Sequence, residues 1–288
     1  MADVSTCNSG AVAIERNGDC AFAKLAEPVE ACRTCGGTGL LPTTVEEQGR
    51  QYSVVAPCAR AKANSRLALF NAASIPGVLA NATFETYRPA HPEQDRAKSL
   101  AKDFAFRWPN ARGFLLSGPV GTGKTHLLCA ALRHATLEMG AQAAYVEMSL
   151  LFSTIRKGFA EGKSGAEIVG PLSRVPLLAI DELGKGRGSP FEMETLDELI
   201  ARRYNAGRVT LFATNYSIKA PEEKSRAPQG RHWATGDLVE AGKESRLLSE
   251  RVGDRIYSRL FEMCEFLEFP TGTPDARRAR LELSRPKR

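Results

Sequence analysis

Residues 115–128 read LLSGPVGTGKTHLL: an apolar run, a glycine-rich turn, then a lysine and a hydroxyl opening another apolar run. Gly118, Pro119, Val120, Gly121, Thr122, Gly123, Lys124 and Thr125 satisfy the spacing G-x-x-x-x-G-K-[ST]. A strand-like GFLL precedes them and a helix-like THLLCAALRHATLEMG follows, which is the setting in which such a loop cradles phosphate. The glycines let the backbone curl until its N–H groups point at a β-phosphate, and the helix N-terminus adds the positive end of its dipole. Lys124 is placed to reach the β- and γ-phosphates and Thr125 to coordinate Mg²⁺, while His126 follows in the first helical turn as a further nucleotide contact.

A second run, VPLLAIDELG, carries four apolar residues into Asp181-Glu182. The pair is expected at the C-terminal end of a buried parallel strand, where ligands bind in open α/β sheets. Asp181 suits the Mg²⁺ shell, and Glu182 suits polarising an attacking water. Asp181-Glu182-Leu183-Gly184 also fits the D-x-x-G of GTPases, but the guanine-reading N-K-x-D occurs nowhere, so ATP is the expected nucleotide. A third strand, VTLFATN, ends in Asn215, placed to touch the γ-phosphate or to position water.

Around these motifs the chain alternates apolar strands with amphipathic helices, the rhythm of a parallel sheet flanked by helices. Strands are expected at 113–117, 143–148, 175–180, 209–214 and 266–269, and helices at 123–138, 149–160, 191–205 and 246–263. The last helix places Leu248, Val252, Ile256 and Leu260 on one stripe, flanked by Arg251, Arg255 and Arg259. These arginines suit either a basic rim paired with nearby acids or a finger reaching a neighbouring subunit's γ-phosphate. Residues 219–244 read as a long surface loop, and 60–81 as a basic helix ending in the turn Pro76-Gly77.

Seven cysteines are present, five of them in the first 58 residues. Without a signal-like N-terminus, that clustering points to a metal rather than to disulfides. Cys32 and Cys35 form a C-x-x-C knuckle followed by Gly36, Gly37 and Gly39, and Cys58 lies further on. Structural Zn²⁺ takes four ligands, for which Cys20 is the candidate fourth and Cys7 the poorer choice. Cys129 and Cys264 sit among apolar helical residues and read as core side chains. Residues 1 to about 60 are rich in Gly, Thr, Cys and Pro and show little helical periodicity.

The net charge of +6 permits contact with nucleic acid, and the basic tail 271–288 is either a solvated end or a phosphate contact. No apolar run approaches the roughly 18–20 residues that span a bilayer, so the expectation is a cytoplasmic protein with no membrane partner. The chain divides into a cysteine-bearing module (1–60), a helical linker (61–90), an ATPase domain (91–270) and the tail.

Taken together, GPVGTGKTHL, LLAIDELG, LDELIARRYNAG, LFATN and SERVGDRIYSRLFEMCEF, with the linker-like IPGVLANATFETYRP, resemble the AAA+ ATPases of the DnaC/DnaI helicase-loader and IstB transposition-helper family. The likeness runs from about Arg60 to Phe269. It implies an AAA+ P-loop fold, a Walker A site at 118–125, a Walker B pair at Asp181 and Glu182, and a sensor at Asn215. It makes Arg255 the finger acting in trans within an ATP-dependent homo-oligomer, with Arg277 or Arg278 as a second sensor. Arg156 and Lys157 on the helix after the second strand would line a path for single-stranded DNA. The implied activity is ATP hydrolysis in loading a DnaB-type replicative helicase gripped by the N-terminal module. The alternatives are an IstB-like helper of a transposase and, outside the family, a small-molecule kinase or a nucleotide-driven assembly switch.

Overall fold

Five parallel strands build the central sheet: β5 (Gly113–Ser117), β6 (Ala143–Glu147), β7 (Leu177–Asp181), β8 (Val209–Thr214) and β9 (Cys264–Glu268), in the order β6-β7-β8-β5-β9. The structure, a computed structural model, describes residues 11–218 and 247–275. Every residue of β5 and β7 is buried, which is why both read as unbroken apolar runs instead of alternating ones. At the start of β5 the approach to β8 is so close that a Cβ on Gly113 would lie 1.9 Å from the Thr210 carbonyl oxygen. Only glycine fits there.

The helices cover both faces. On one, Phe114 and Leu116 of β5 pack with Leu127, Leu128 and Leu132 of α3 (Lys124–Arg133). Phe104 of α2 (Pro92–Arg107) and Phe70 of α1 (Ala59–Ala72) complete that core. On the other, Leu115, Ile180 and Phe212 meet Phe152 of α4 (Met148–Ala160), Val169 of α5 (Gly165–Arg174) and Leu199 of α6 (Pro190–Asn205). The apolar stripe expected on the last long helix is present: Leu248, Val252, Ile256 and Leu260 are all buried. The helix itself is not continuous. Gly253, at φ +79°, divides it into α7 (Leu248–Val252) and α8 (Asp254–Met263).

Two helices went unread in the sequence. The buried face of α2 is made mostly of alanines, Ala97, Ala101 and Ala105, with Phe104, so its hydrophobic periodicity is faint. The helix α5 carries Pro171 in its interior, which reads as a breaker. Its N-terminal signal was nevertheless legible: Ser164 and Glu167 form a reciprocal capping box.

In the described part of the N-terminal segment, where the sequence shows little helical periodicity, the regular structure is mostly β. The strands form two antiparallel hairpins, β1 (Val12–Asn17) with β2 (Cys20–Leu25) and β3 (Leu40–Glu47) with β4 (Arg50–Pro57). The β3–β4 turn, Gln48-Gly49, has both residues at positive φ, the geometry of a type I′ turn without its usual Asn. The two hairpins belong to different cores. Ala21 and Ala23 of β2 join the main core, and the Asn71 side chain brackets Ala23 through its N–H and C=O at 2.7 and 2.9 Å. Leu41 of β3 instead packs with Cys32, Cys35 and Cys58 in a separate small cluster. No helix among the described residues is long and apolar enough to cross a membrane.

Candidate functional site

The C-terminal ends of β5, β8 and β7 present the three sequence motifs along one edge of the sheet, with β8 between the other two. The glycine-rich loop leaves β5 and is pinned to β8, because Gly118 N–H donates to the Thr214 carbonyl at 3.2 Å. Gly118, Gly121 and Gly123 all have positive φ, the curl that turns successive N–H groups inward. The space behind these glycines is taken: a Cβ on Gly118 would strike Phe269, and one on Gly121 would strike Asp275. Lys124, 6% exposed, folds its ammonium back onto the Gly118 and Pro119 carbonyls at 2.7 Å each. Thr125 follows it in the first turn of α3. Val120 is exposed at the loop's outer rim. His126 engages the linker: its Nε2 lies 2.8 Å from the Thr83 carbonyl oxygen and its ring faces Tyr87.

Asp181 ends β7 with 6% exposure. Its Oδ1 accepts from the Glu182 N–H and its Oδ2 from the Tyr145 hydroxyl, both at 2.9 Å. The carboxylate is therefore oriented by a phenol on the neighbouring strand β6, a contact no local motif announces. Its charge is felt on α3 as well, where burial and then Asp181 push the Cys129 thiol up.

Glu182 adopts a left-handed backbone, φ +54°, which is uncommon outside glycine and is found at strained functional positions. Burial pushes its carboxyl up from the usual range, an effect Lys185 opposes and Glu147 reinforces. Lys185 pairs with Glu182 directly and lies 3.9 Å from Glu147. Next to this loop Thr214 ties the strands together, its hydroxyl donating to Leu183 O at 2.7 Å and accepting from Tyr216 N–H at 3.1 Å. Asn215, between them in sequence, is exposed at the same edge.

The three arginines of the last helices have different surroundings. Arg251 donates to Gly184 O and Gly186 O at 3.0 and 2.6 Å and lies over the Tyr216 ring, bracing the loop that follows Glu182. Arg259 pairs with Asp197 at 2.7 Å and its side chain is 18% exposed. Arg255 is 73% exposed, with Asp197 at 3.7 Å. On α4, Arg156 pairs with Glu192 at 3.1 Å, and Lys157 beside it is exposed.

In the N-terminal segment the Cys32, Cys35 and Cys58 ligand atoms lie within 4.8 Å of one another, all three residues buried. Gly39 N–H donates to Cys35 Sγ at 3.2 Å and Ala61 N–H to Cys58 Sγ at 3.4 Å, the kind of contact that supports thiolate ligands. Three soft donors at this spacing fit Zn²⁺. Cys20, the expected fourth ligand, does not join them. It is exposed at the start of β2 and bridges to Pro76, because the first hairpin packs on α1 and the main core. Cys7, Arg277, Arg278 and the loop 219–244 lie outside the described residues.

A parallel sheet with a glycine-rich loop after one strand and an acidic pair after another defines an AAA+ P-loop architecture. The family described as IstB-like ATP binding protein matches residues 59–223, and the chain belongs to it. Among curated relatives it is 31% identical over 152 residues to the replicative helicase loader DnaC of Escherichia coli (strain K12), a span of 52% of this chain and 62% of that protein. It thus matches somewhat less than two thirds of that loader's length. It is 30% identical over 177 residues to the DnaC loader of Buchnera aphidicola subsp. Baizongia pistaciae, covering 60% of this chain and 71% of that one. Among solved structures, the DnaC helicase loader aligns with a TM-score of 0.54 and 26% identity, over 67% of this chain and 99% of that chain. AMPPCP-bound DnaA from Aquifex aeolicus, at a TM-score of 0.50 and 18% identity, over 70% of this chain and 55% of that one, shares the fold.

Proposed function

We propose that this chain is an ATP-dependent loader of a DnaB-type replicative helicase. The observation that carries the reading is the family match over 59–223, which encloses Lys124, Asp181, Glu182 and Asn215, together with a likeness to a helicase loader along 99% of that loader's structure. In this reading residues 118–125 cradle the phosphates and Lys124 leaves its loop carbonyls to meet their charge. Thr125 and Asp181 would hold Mg²⁺, which supplies charge neutralisation on the β- and γ-phosphate oxygens. Glu182 orients the attacking water, and its burial raises its affinity for a proton. Asn215 hydrogen-bonds at the γ-phosphate end. Arg255, the exposed arginine of the three, reaches the site of a neighbouring copy, while Arg251 braces its own chain.

Cys32, Cys35 and Cys58 would hold Zn²⁺ and so fix the module that grips the helicase. Arg156 and Lys157 contribute phosphate contacts to single-stranded DNA, Arg156 by exchanging Glu192 for phosphate. The likeness to DnaC, with the cysteine module ahead of the ATPase body, favours a helicase client over a transposase. Mixing the purified chain with a DnaB-type hexamer and single-stranded DNA tests the reading. ATP-dependent transfer of the hexamer onto DNA is the expected result; no binding to the hexamer and no change in its loading would refute it.

A further inference from the structure

Two buried side chains from outside the glycine-rich loop converge on one of its carbonyls. The Tyr87 hydroxyl donates to Thr122 O at 2.9 Å, and Gln94 Nε2 donates to the same oxygen at 3.2 Å. Tyr87 is 5% exposed and Gln94 2%. Gln94 is held in turn, its Oε1 accepting from Ala90 N–H at 2.8 Å. The Tyr87 ring lies against Gly123, where an added Cβ would come within 2.4 Å of it. Burial pushes the Tyr87 phenol up, so its oxygen keeps the proton it donates.

A carbonyl oxygen has two lone pairs, and here two buried donors engage them. The trans peptide is planar, with the carbonyl and the following N–H on opposite edges. Turning Thr122 O toward Tyr87 and Gln94 therefore turns the Gly123 N–H away from both, into the curl of the loop. Gly123, at φ +91°, has no side chain of its own to resist a flip of that plane. We propose that Tyr87 and Gln94 are positioning residues of the phosphate cradle, locking the Thr122–Gly123 peptide with its N–H toward the phosphates. The inference rests on reading 118–125 as that cradle. Neither side chain need touch the nucleotide; both act through the backbone.

Calorimetric titration of the full chain with Mg–ADP and, separately, with inorganic pyrophosphate provides the test. Tyr87→Phe keeps the ring and removes only the donor. It is expected to weaken both ligands about tenfold, the scale of one well-placed hydrogen bond. Gln94→Met removes the other donor and should act in the same direction, with the double variant weaker than either. Melting temperature without ligand should fall by no more than about 4 °C. Wild-type affinity for both ligands in both variants would overturn the proposal, and so would a lowered melting temperature with unchanged affinity. Loss of ADP with normal pyrophosphate binding would also overturn it, because Tyr87 would then serve the nucleoside. Lys124→Ala separates the two levels. If it binds pyrophosphate normally, the cradle reading itself fails; if it loses binding while Tyr87→Phe and Gln94→Met do not, only the positioning role fails.

Discussion

The AAA+ body and the cysteine cluster differ sharply in the size of the core that holds them. Around the sheet, two large cores and a lattice of hydrogen bonds hold the loop, the acidic pair and the β8 terminus in place. Around Cys58, the buried core is four residues, Cys32, Cys35, Leu41 and Cys58, supporting a hairpin whose Val45, Tyr52 and Val55 are exposed. A core that small does not offset the conformational entropy of the chain it must order, whereas a metal can. The two ends of this molecule should therefore fail separately: the body by loss of packing or buried polar ties, the cluster by loss of the metal proposed for it.

The largest effect should come from the cluster. Cys32→Ser with Cys35→Ser, or a strong chelator, is expected to remove the stabilisation of the proposed structural metal, on the order of 10 kcal/mol for that module. Hydrogen exchange should then rise across 32–58 while the sheet strands stay protected. Exchange that rises equally in β5 and β7 would erase the distinction.

Next comes Arg203, which has no exposed surface and, among the described residues, no carboxylate partner. Its guanidinium donates to Leu172 O, Val175 O, Val209 O and the Thr210 hydroxyl, tying the ends of α5 and α6 to the starts of β7 and β8. Burial lowers its pKa to about 9, with Arg208 adding to the effect, so it remains charged at neutral pH. Arg203→Met strands those acceptors and is expected to cost about 3 kcal/mol of body stability in denaturant unfolding.

Smaller still, Tyr145→Phe frees one oxygen of Asp181 and should weaken Mg²⁺-dependent nucleotide binding several-fold, about 1 kcal/mol by titration at varied Mg²⁺. The smallest effect belongs to Arg255→Ala. As an exposed side chain at 3.7 Å from its acid, it should leave melting within about 0.5 kcal/mol of wild type. Hydrolysis by assembled subunits should nevertheless fall.

The residues proposed for the site were legible because each motif is contiguous: Gly118–Thr125 and Asp181-Glu182 are read on strict local spacing after apolar strands. The sequence showed the stripe at Leu248, Val252, Ile256 and Leu260 because helical periodicity survives the break at Gly253. It did not show what aims those residues. Tyr145 reaches Asp181 across a strand pair, and Tyr87 and Gln94 reach Thr122 from 35 and 28 positions earlier in the chain. No local pattern encodes such contacts. The same limit explains Cys20: it was the candidate fourth ligand, but the packing of β2 on α1 carried it away from the cluster.

The most direct test of the account is helicase capture and loading, run in parallel on three proteins with a DnaB-type hexamer, ATP and single-stranded DNA. The wild type should capture the hexamer and load it. Lys124→Ala should capture but not load, and Cys32→Ser/Cys35→Ser should bind nucleotide as the wild type does yet capture nothing. Loading by Lys124→Ala, or full capture by the double serine variant, would contradict the division of labour between body and module.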